Sequence, residues 1–304
     1  MGADRRRSAA AAVSGVLGIT VIAVLATVAV SSAAVIIAGA NPLDAYYQFF
    51  ITPLTSQFRL LEVLVSATPL LLTGLAVAIA FRAGYWNIGV EGQLLLGAVA
   101  AGGIGQVVHG VSPLLAIPLM IIGGALAGAA WALVPALLRV RLGIDEVVTT
   151  LLLNPVALLF VKALVQGPWR DPGGITESPP IADSAEFPTL IDGSRLHLGF
   201  LIGIVLIIGA WYVLTRTATG LRVRAVGLSP GAARFAGIRV ERTLLRVALV
   251  SGAIAGIAGV SEVAGLQHRL TAGLSPGYGY TGIVVAMLGG PDDARRAACR
   301  VAPG

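Results

Sequence analysis

The residues of this chain that could make or break bonds are few and far apart. His109, His197 and His268 lie far from one another, and none has a second ligand at metal-binding spacing. Each reads as a loop or interface histidine. Cys299 is the only cysteine, which excludes an internal disulfide and any cysteine-based metal site. The only lysine, Lys162, sits in Phe-Val-Lys-Ala-Leu within an apolar stretch. No G-x4-G-K-[ST] phosphate loop is present, so any work driven by ATP belongs to another polypeptide. No serine elbow or pair of acids stands near a histidine, so an intramembrane enzyme lacks its nucleophile and base.

What the chain does carry is hydrogen-bonding chemistry at three interruptions of apolar sequence. The first is Phe81-Arg82-Ala83-Gly84-Tyr85-Trp86-Asn87-Ile88-Gly89-Val90-Glu91-Gly92-Gln93. Its glycines and polar residues fit a broken helix, which is tolerated at membrane depth only where it lines protein or water. An ionisable group such as Glu91 beside a span is a functional candidate. A plain cytoplasmic turn fits equally, with Asn87 capping and Glu91 in the first helical turn, complementing the dipole. The second interruption is residues 143–154, where Asp145 predicts a helix cap and Thr149, Thr150 and Asn154 can share a face. Pro155 follows and predicts a kink. The third is residues 274–283, where glycines permit sharp turns and Tyr278 and Tyr280 offer an amphipathic face to a ring.

The elements that must position these groups are membrane helices. The chain is 56% hydrophobic and 12% charged, with a mean hydropathy of +0.88. A soluble domain cannot hide that much apolar surface, so the fold class is an all-α polytopic membrane protein. The apolar run after Arg5–Arg7 is too long for a secretory signal and reads as a retained first span. About eight transmembrane helices follow from the pattern, near 10–39, 60–81, 93–108, 114–138, 145–166, 198–215, 245–265 and 279–290. Starting with the N-terminus in the cytoplasm places thirteen arginines inside and four outside before the tail, in accord with the positive-inside rule. The net charge of +6 thus reflects cytoplasmic loops and lipid headgroups, not nucleic acid. Gly124-x3-Gly128 and Gly252-x3-Gly256 predict close helix contacts.

Two loops stand out. The external loop 167–197 holds five prolines and five acids, and reads either as a lid or spacer or as a docking surface for an external partner. The cytoplasmic loop 216–246 holds seven arginines against Glu241 alone. Within it, Ser229 is a helix cap, Pro230 suits the first helical position, Ala232 and Ala233 favour helix, and Gly237 is a left-handed stop. The expected helix is about two turns, roughly 10 Å long, with Phe235 protruding beside Arg234. An ordinary solvated loop whose arginines face lipid headgroups is the competing reading.

Residues 224–238, RAVGLSPGAARFAGI, resemble the cytoplasmic coupling segment of ABC-importer permeases of the branched-chain amino acid, ribose and nucleoside type. NIGVEGQ at 87–93 resembles the mark of the guanosine/nucleoside and simple-sugar branch, and 143–154 and 274–283 are further matches in family order. The resemblance covers about residues 60–290. It implies a type II ABC importer permease-like fold in the bacterial cytoplasmic membrane, without a cofactor. It also implies an ABC ATPase subunit, a sister or identical second permease, and an extracellular substrate-binding lipoprotein. Arg224, Ser229, Ala233, Arg234, Phe235 and Gly237 would couple to the ATPase. Asn87, Glu91, Gln93, Thr150, Asn154 and Tyr280 would line the path of a nucleoside or simple sugar, whose hydroxyls suit amide, hydroxyl and aromatic groups. A self-contained secondary transporter is the alternative function.

The pattern changes after Gly290. A permease domain over 1–290 gives way to an atypical polar tail, 291–304, of Arg, Ala, Pro and Asp with Cys299. Members of the family resembled here continue with further apolar spans. The expectation is a shifted frame or a truncation that omits the last helices, against a natural short terminus.

Overall fold

A computed structural model describes residues 2–289. It divides into two compact units, Met1–Leu60 and Leu61–Gly304. The tail at 291–304 lies outside the described residues.

In the first unit a long helix, α1 (Gly2–Ile37), is followed by a short one, α2 (Pro42–Tyr46). Asn41 caps α2 by accepting from the Leu43 N–H. The Tyr46 phenol donates to the Val28 carbonyl at 3.0 Å and meets Ser31 and Ser32 at 2.7 and 2.8 Å. The apolar side chains Val21, Ile22, Val24 and Leu25 of α1 are exposed, as a face meant for lipid requires.

The second unit takes up α3 (Gln57–Arg82), which begins at the boundary, and adds α4 (Val90–Val107), α5 (Pro113–Leu142) and α6 (Glu146–Gln166). After the loop at 167–197 come α7 (Leu198–Arg216), α8 (Ala218–Leu228), α9 (Pro230–Phe235), α10 (Val240–Glu262) and α11 (Tyr278–Leu288). Among the described residues six segments are long and apolar enough to cross a membrane: Thr20–Ile37, Gln57–Arg82, Pro113–Leu142, Glu146–Gln166, Leu198–Arg216 and Val240–Gln267. The expected third and eighth spans are helices, α4 and α11, but fall outside that set. Glu91, Gln93 and Gln106 dilute the hydropathy of α4, and α11 has only 11 residues. Buried among other helices, α4 does not need a lipid-compatible surface.

The centre is a three-helix packing of α4, α5 and α10 through glycine. A Cβ on Gly97 would lie 2.2 Å from the Gly256 carbonyl, one on Gly128 2.2 Å from the Gly252 carbonyl, and one on Gly259 2.0 Å from the Leu94 carbonyl. The two G-x3-G patterns of α5 and α10 therefore face each other, backbone on backbone. Asp145 caps α6, its Oδ1 accepting from the Val147 N–H at 2.7 Å, and α6 continues through Pro155.

The loop at 167–197 is stitched down. Ser178 N–H donates to the Leu270 carbonyl, Ile181 N–H to His268, Phe187 N–H to Ala264 and Ala182 N–H to Gly105. Arg269–Glu177 (3.1 Å) and His268–Glu186 (3.3 Å) add side-chain pairs, and Trp169 lies on Gly103. His197 caps α7 through Nδ1, which accepts from the Gly199 N–H at 3.2 Å. Burial, then the nearby charge of His268, pushes its imidazole down to about 4, so it remains a neutral acceptor at neutral pH.

Candidate functional site: a buried polar knot and an arginine-rich tip

The segment between α3 and α4 folds into a tight turn. Gly84, with φ of 72°, occupies the left-handed region that glycine reaches without strain. Asn87 follows, fully buried. Its amide Nδ2 donates to Gln93 Oε1 at 2.9 Å and to Ser251 Oγ at 2.9 Å, while Gln93 Nε2 donates back to Asn87 Oδ1 at 3.0 Å. Asn87 Oδ1 also accepts from the Gly89 N–H, and Ser251 Oγ donates to the Ala76 carbonyl at 2.7 Å. One asparagine thus joins α3, α4 and α10. The N-cap of α4 is Gly89, which has no capping side chain of its own. Asn154 of α6 supplies the missing acceptor from a distance: its Oδ1 accepts from the Gly92 N–H and its Nδ2 donates to the Ile88 carbonyl, both at 2.9 Å. Thr150 Oγ accepts from the Ile88 N–H at 3.2 Å and donates to the Glu146 carbonyl at 2.6 Å.

Of the six residues expected along a solute path, Asn87, Gln93, Thr150 and Asn154 come together in this knot with their polar groups bonded to protein. Glu91 is buried as well, its Oε2 accepting from the Gly279 N–H at 2.7 Å at the start of α11. Tyr280 stands apart from the knot and is exposed. Two participants, and a third buried acid away from the knot, gave no clear sign in the sequence. Ser251 is one of two serines in the Gly/Ala run of α10. Glu146 is buried, binds Arg139 at 3.0 Å and accepts from the Trp86 N–H, and the charges at 139 and 146 were the available signal. Glu262 is 2% exposed, and its Oε2 has no hydrogen-bond partner among the described residues.

Residues 216–246 are far more helical than a loop. Thr217 caps α8, accepting from the Gly220 N–H. Ser229 caps α9, accepting from the Ala232 N–H at 3.3 Å, with Pro230 at the first position and Gly237 left-handed at φ 79°. The helix is six residues long, slightly short of two turns. Ala233 turns inward, packing with Val226 and Val240 against Ala225, Ile238 and Leu244. Phe235 turns outward and is 97% exposed. Arg234 pairs with Glu241 at 2.5 Å, and Arg224 is exposed with no ion pair among the described residues. The C-terminal end of α8 leans on the turn before the knot: a Cβ on Gly227 would lie 2.2 Å from the Arg82 carbonyl.

This arrangement has no cluster of three or more His, Cys, Asp or Glu able to hold a metal among the described residues. It has instead a bundle with a polar interior and a rigid cationic tip bearing one bare aromatic ring. The family model for the permease component of the branched-chain amino acid transport system matches residues 59–299. The glucose ABC transporter permease protein TsgB13 of Haloferax volcanii is 40% identical over 284 residues, covering 90% of this chain and 74% of the relative. The guanosine ABC transporter permease protein NupP of Bacillus subtilis is 37% identical over 234 residues, 75% of this chain and 67% of the relative. The nucleoside ABC transporter permease protein NupB of Lactococcus lactis is 34% identical over 262 residues, 83% and 72% respectively. No solved structure matches. The chain is a multi-pass membrane permease subunit of the ABC importer class, working beside a separate ATPase subunit, and it belongs to the branched-chain amino acid transport system permease family.

Proposed function

We propose that this permease carries a nucleoside or a simple sugar across the cytoplasmic membrane, with its N-terminus in the cytoplasm. The relatives named for glucose, guanosine and nucleosides support that solute class. These solutes share a neutral, hydroxyl-rich surface. Asn87, Glu91, Gln93, Thr150, Asn154 and Tyr280 frame the path in this reading. The bonded knot holds its shape, Glu91 ties it to the start of α11, and Tyr280 is exposed outside it. A second permease completes the path, and an external lipoprotein delivers solute over residues 167–197.

The observation that carries the coupling role is Phe235. A large apolar ring, almost wholly exposed, sits on a short helix whose underside is packed by Val226, Ala233 and Val240. A ring held rigidly in water suits an apolar pocket on a partner. Arg224, Ser229, Arg234 and Gly237 surround or shape that tip, and Ala233 anchors it from beneath. We assign the ATPase subunit to this surface. Phe235→Ala should weaken copurification of the ATPase at least about tenfold, the loss of one interface anchor, with the folded permease yield unchanged. Undiminished capture of the ATPase would remove the coupling assignment.

A further inference from the structure

The stretch joining α10 to α11 enters the bundle as non-helical chain. After Glu262 the helix widens into a π turn over Val263–Gln267 and ends at His268, left-handed with φ of 54°. From there the chain leaves the level of the external loop. Leu270 pairs with Ser178 and packs at Gly102, near the outer end of α4. Gly279 meets Glu91, in the first turn of the same helix. Glu91 and Gly102 are separated by about 16 Å along α4 at 1.5 Å per residue. Residues 270–279 therefore run down α4 as open backbone, and α11 begins only at the depth of Glu91.

The ends of that stretch are bonded, and the Leu274 N–H donates to the Thr271 carbonyl at 3.4 Å, but its middle is largely unsatisfied. Ser275 Oγ accepts from the Gly277 and Tyr278 N–H groups, and the Gly279 N–H goes to Glu91. The N–H groups of Gly273 and Ser275 and the carbonyls from Ala272 to Pro276 have no hydrogen-bond partner among the described residues. Leu274 is buried and pins the segment, whereas Gly273, Pro276 and Tyr280 are exposed on the other side. Unpaired peptide groups at membrane depth are costly unless water or a bound molecule satisfies them.

We propose that residues 272–276 form a backbone hydrogen-bonding site for the transported solute, with the Tyr280 ring as its apolar wall. Peptide N–H and C=O groups offer both donors and acceptors, which matches the hydroxyls of a neutral sugar or ribose moiety and needs no ion pair. The π turn and the left-handed His268 position this segment, and the pairing of His268 and Arg269 with the external loop fixes its upper end. The inference rests on the solute class proposed above.

Gly273 gives a clean test, because a Cβ there meets nothing within 4 Å and its backbone is not left-handed. Gly209 on α7 is equally open and serves as the control. In cells carrying the whole importer, uptake of radiolabelled guanosine, D-glucose and D-ribose is measured as a function of concentration. Gly273→Val should raise the KM of whichever solute the wild type carries at least about tenfold, as several hydrogen bonds are covered. Gly209→Val should leave it unchanged. Gly273→Cys, in a Cys299→Ser background, should react with a membrane-impermeant methanethiosulfonate, and the carried solute should slow that reaction. Unchanged uptake by Gly273→Val, or an unreactive cysteine because a second permease covers the segment, would overturn the site. If the wild type carries none of the three solutes, the nucleoside-or-sugar reading fails by itself, and cysteine reactivity alone then decides whether the segment faces a water-filled path.

Discussion

At the scale of single residues, Asn154 has the most work to do relative to its size. It satisfies one N–H in the first turn of α4 and one carbonyl just before it, from a different helix. Asn154→Leu preserves volume but strands both groups in the interior. The expected loss is about 2–4 kcal/mol of stability, since each buried unpaired group costs roughly 1–3 kcal/mol. Thermal unfolding in detergent checks it: a clearly lowered midpoint is predicted, and a variant as stable as wild type would mean that water satisfies these groups. The residue types of this knot were legible in the sequence, because Asn, Gln and Thr do not sit idly in apolar helices. Their bonding was not. Asn87 read as a local cap and does accept from the Gly89 N–H, but it also bonds Gln93 and Ser251, and only the packing of α3, α4, α6 and α10 brings those groups together.

At the scale of elements, locally encoded structure could be read and tertiary structure could not. Ser229, Pro230 and Gly237 delimit α9 because capping and left-handed backbone are decided within a few residues. Helix α8 escaped notice because its arginines and lack of an apolar stripe look like loop. Helix α4 was legible as an apolar helix, but its burial by α5, α6 and α10 cannot be seen in one strand of text. Loop 167–197 read as a lid or spacer or as a docking surface, and neither reading foresaw the backbone bonds to residues 264–270 that hold it down. The G-x3-G patterns did predict contact, and the geometry makes that prediction sharper. A side chain on Gly256 would drive a Cβ to 2.1 Å from the Gly124 carbonyl. Gly256→Val should therefore separate α5 from α10 and cost at least about 3 kcal/mol, the upper range for overpacking. Monodisperse yield after size-exclusion chromatography is the readout, and a normal, stable Gly256→Val would contradict the packing of these helices.

At the scale of the whole molecule, the described parts form one mechanical chain in the second unit. The tip of α9 rests on α8, and α8 leans through Gly227 on the Arg82 carbonyl. That turn runs into the Asn87 knot, and the knot holds the start of α4, where Glu91 grips α11. Movement of the tip has a continuous packed route to the re-entrant segment. The route has a function only if the tip is on the side where ATP is hydrolysed. Phe235→Cys, in a Cys299→Ser background, tests this with a membrane-impermeant maleimide. The expected outcome is no labelling in intact cells, full labelling in inverted membrane vesicles, and protection there by the bound ATPase subunit. Labelling of residue 235 from outside intact cells would contradict it.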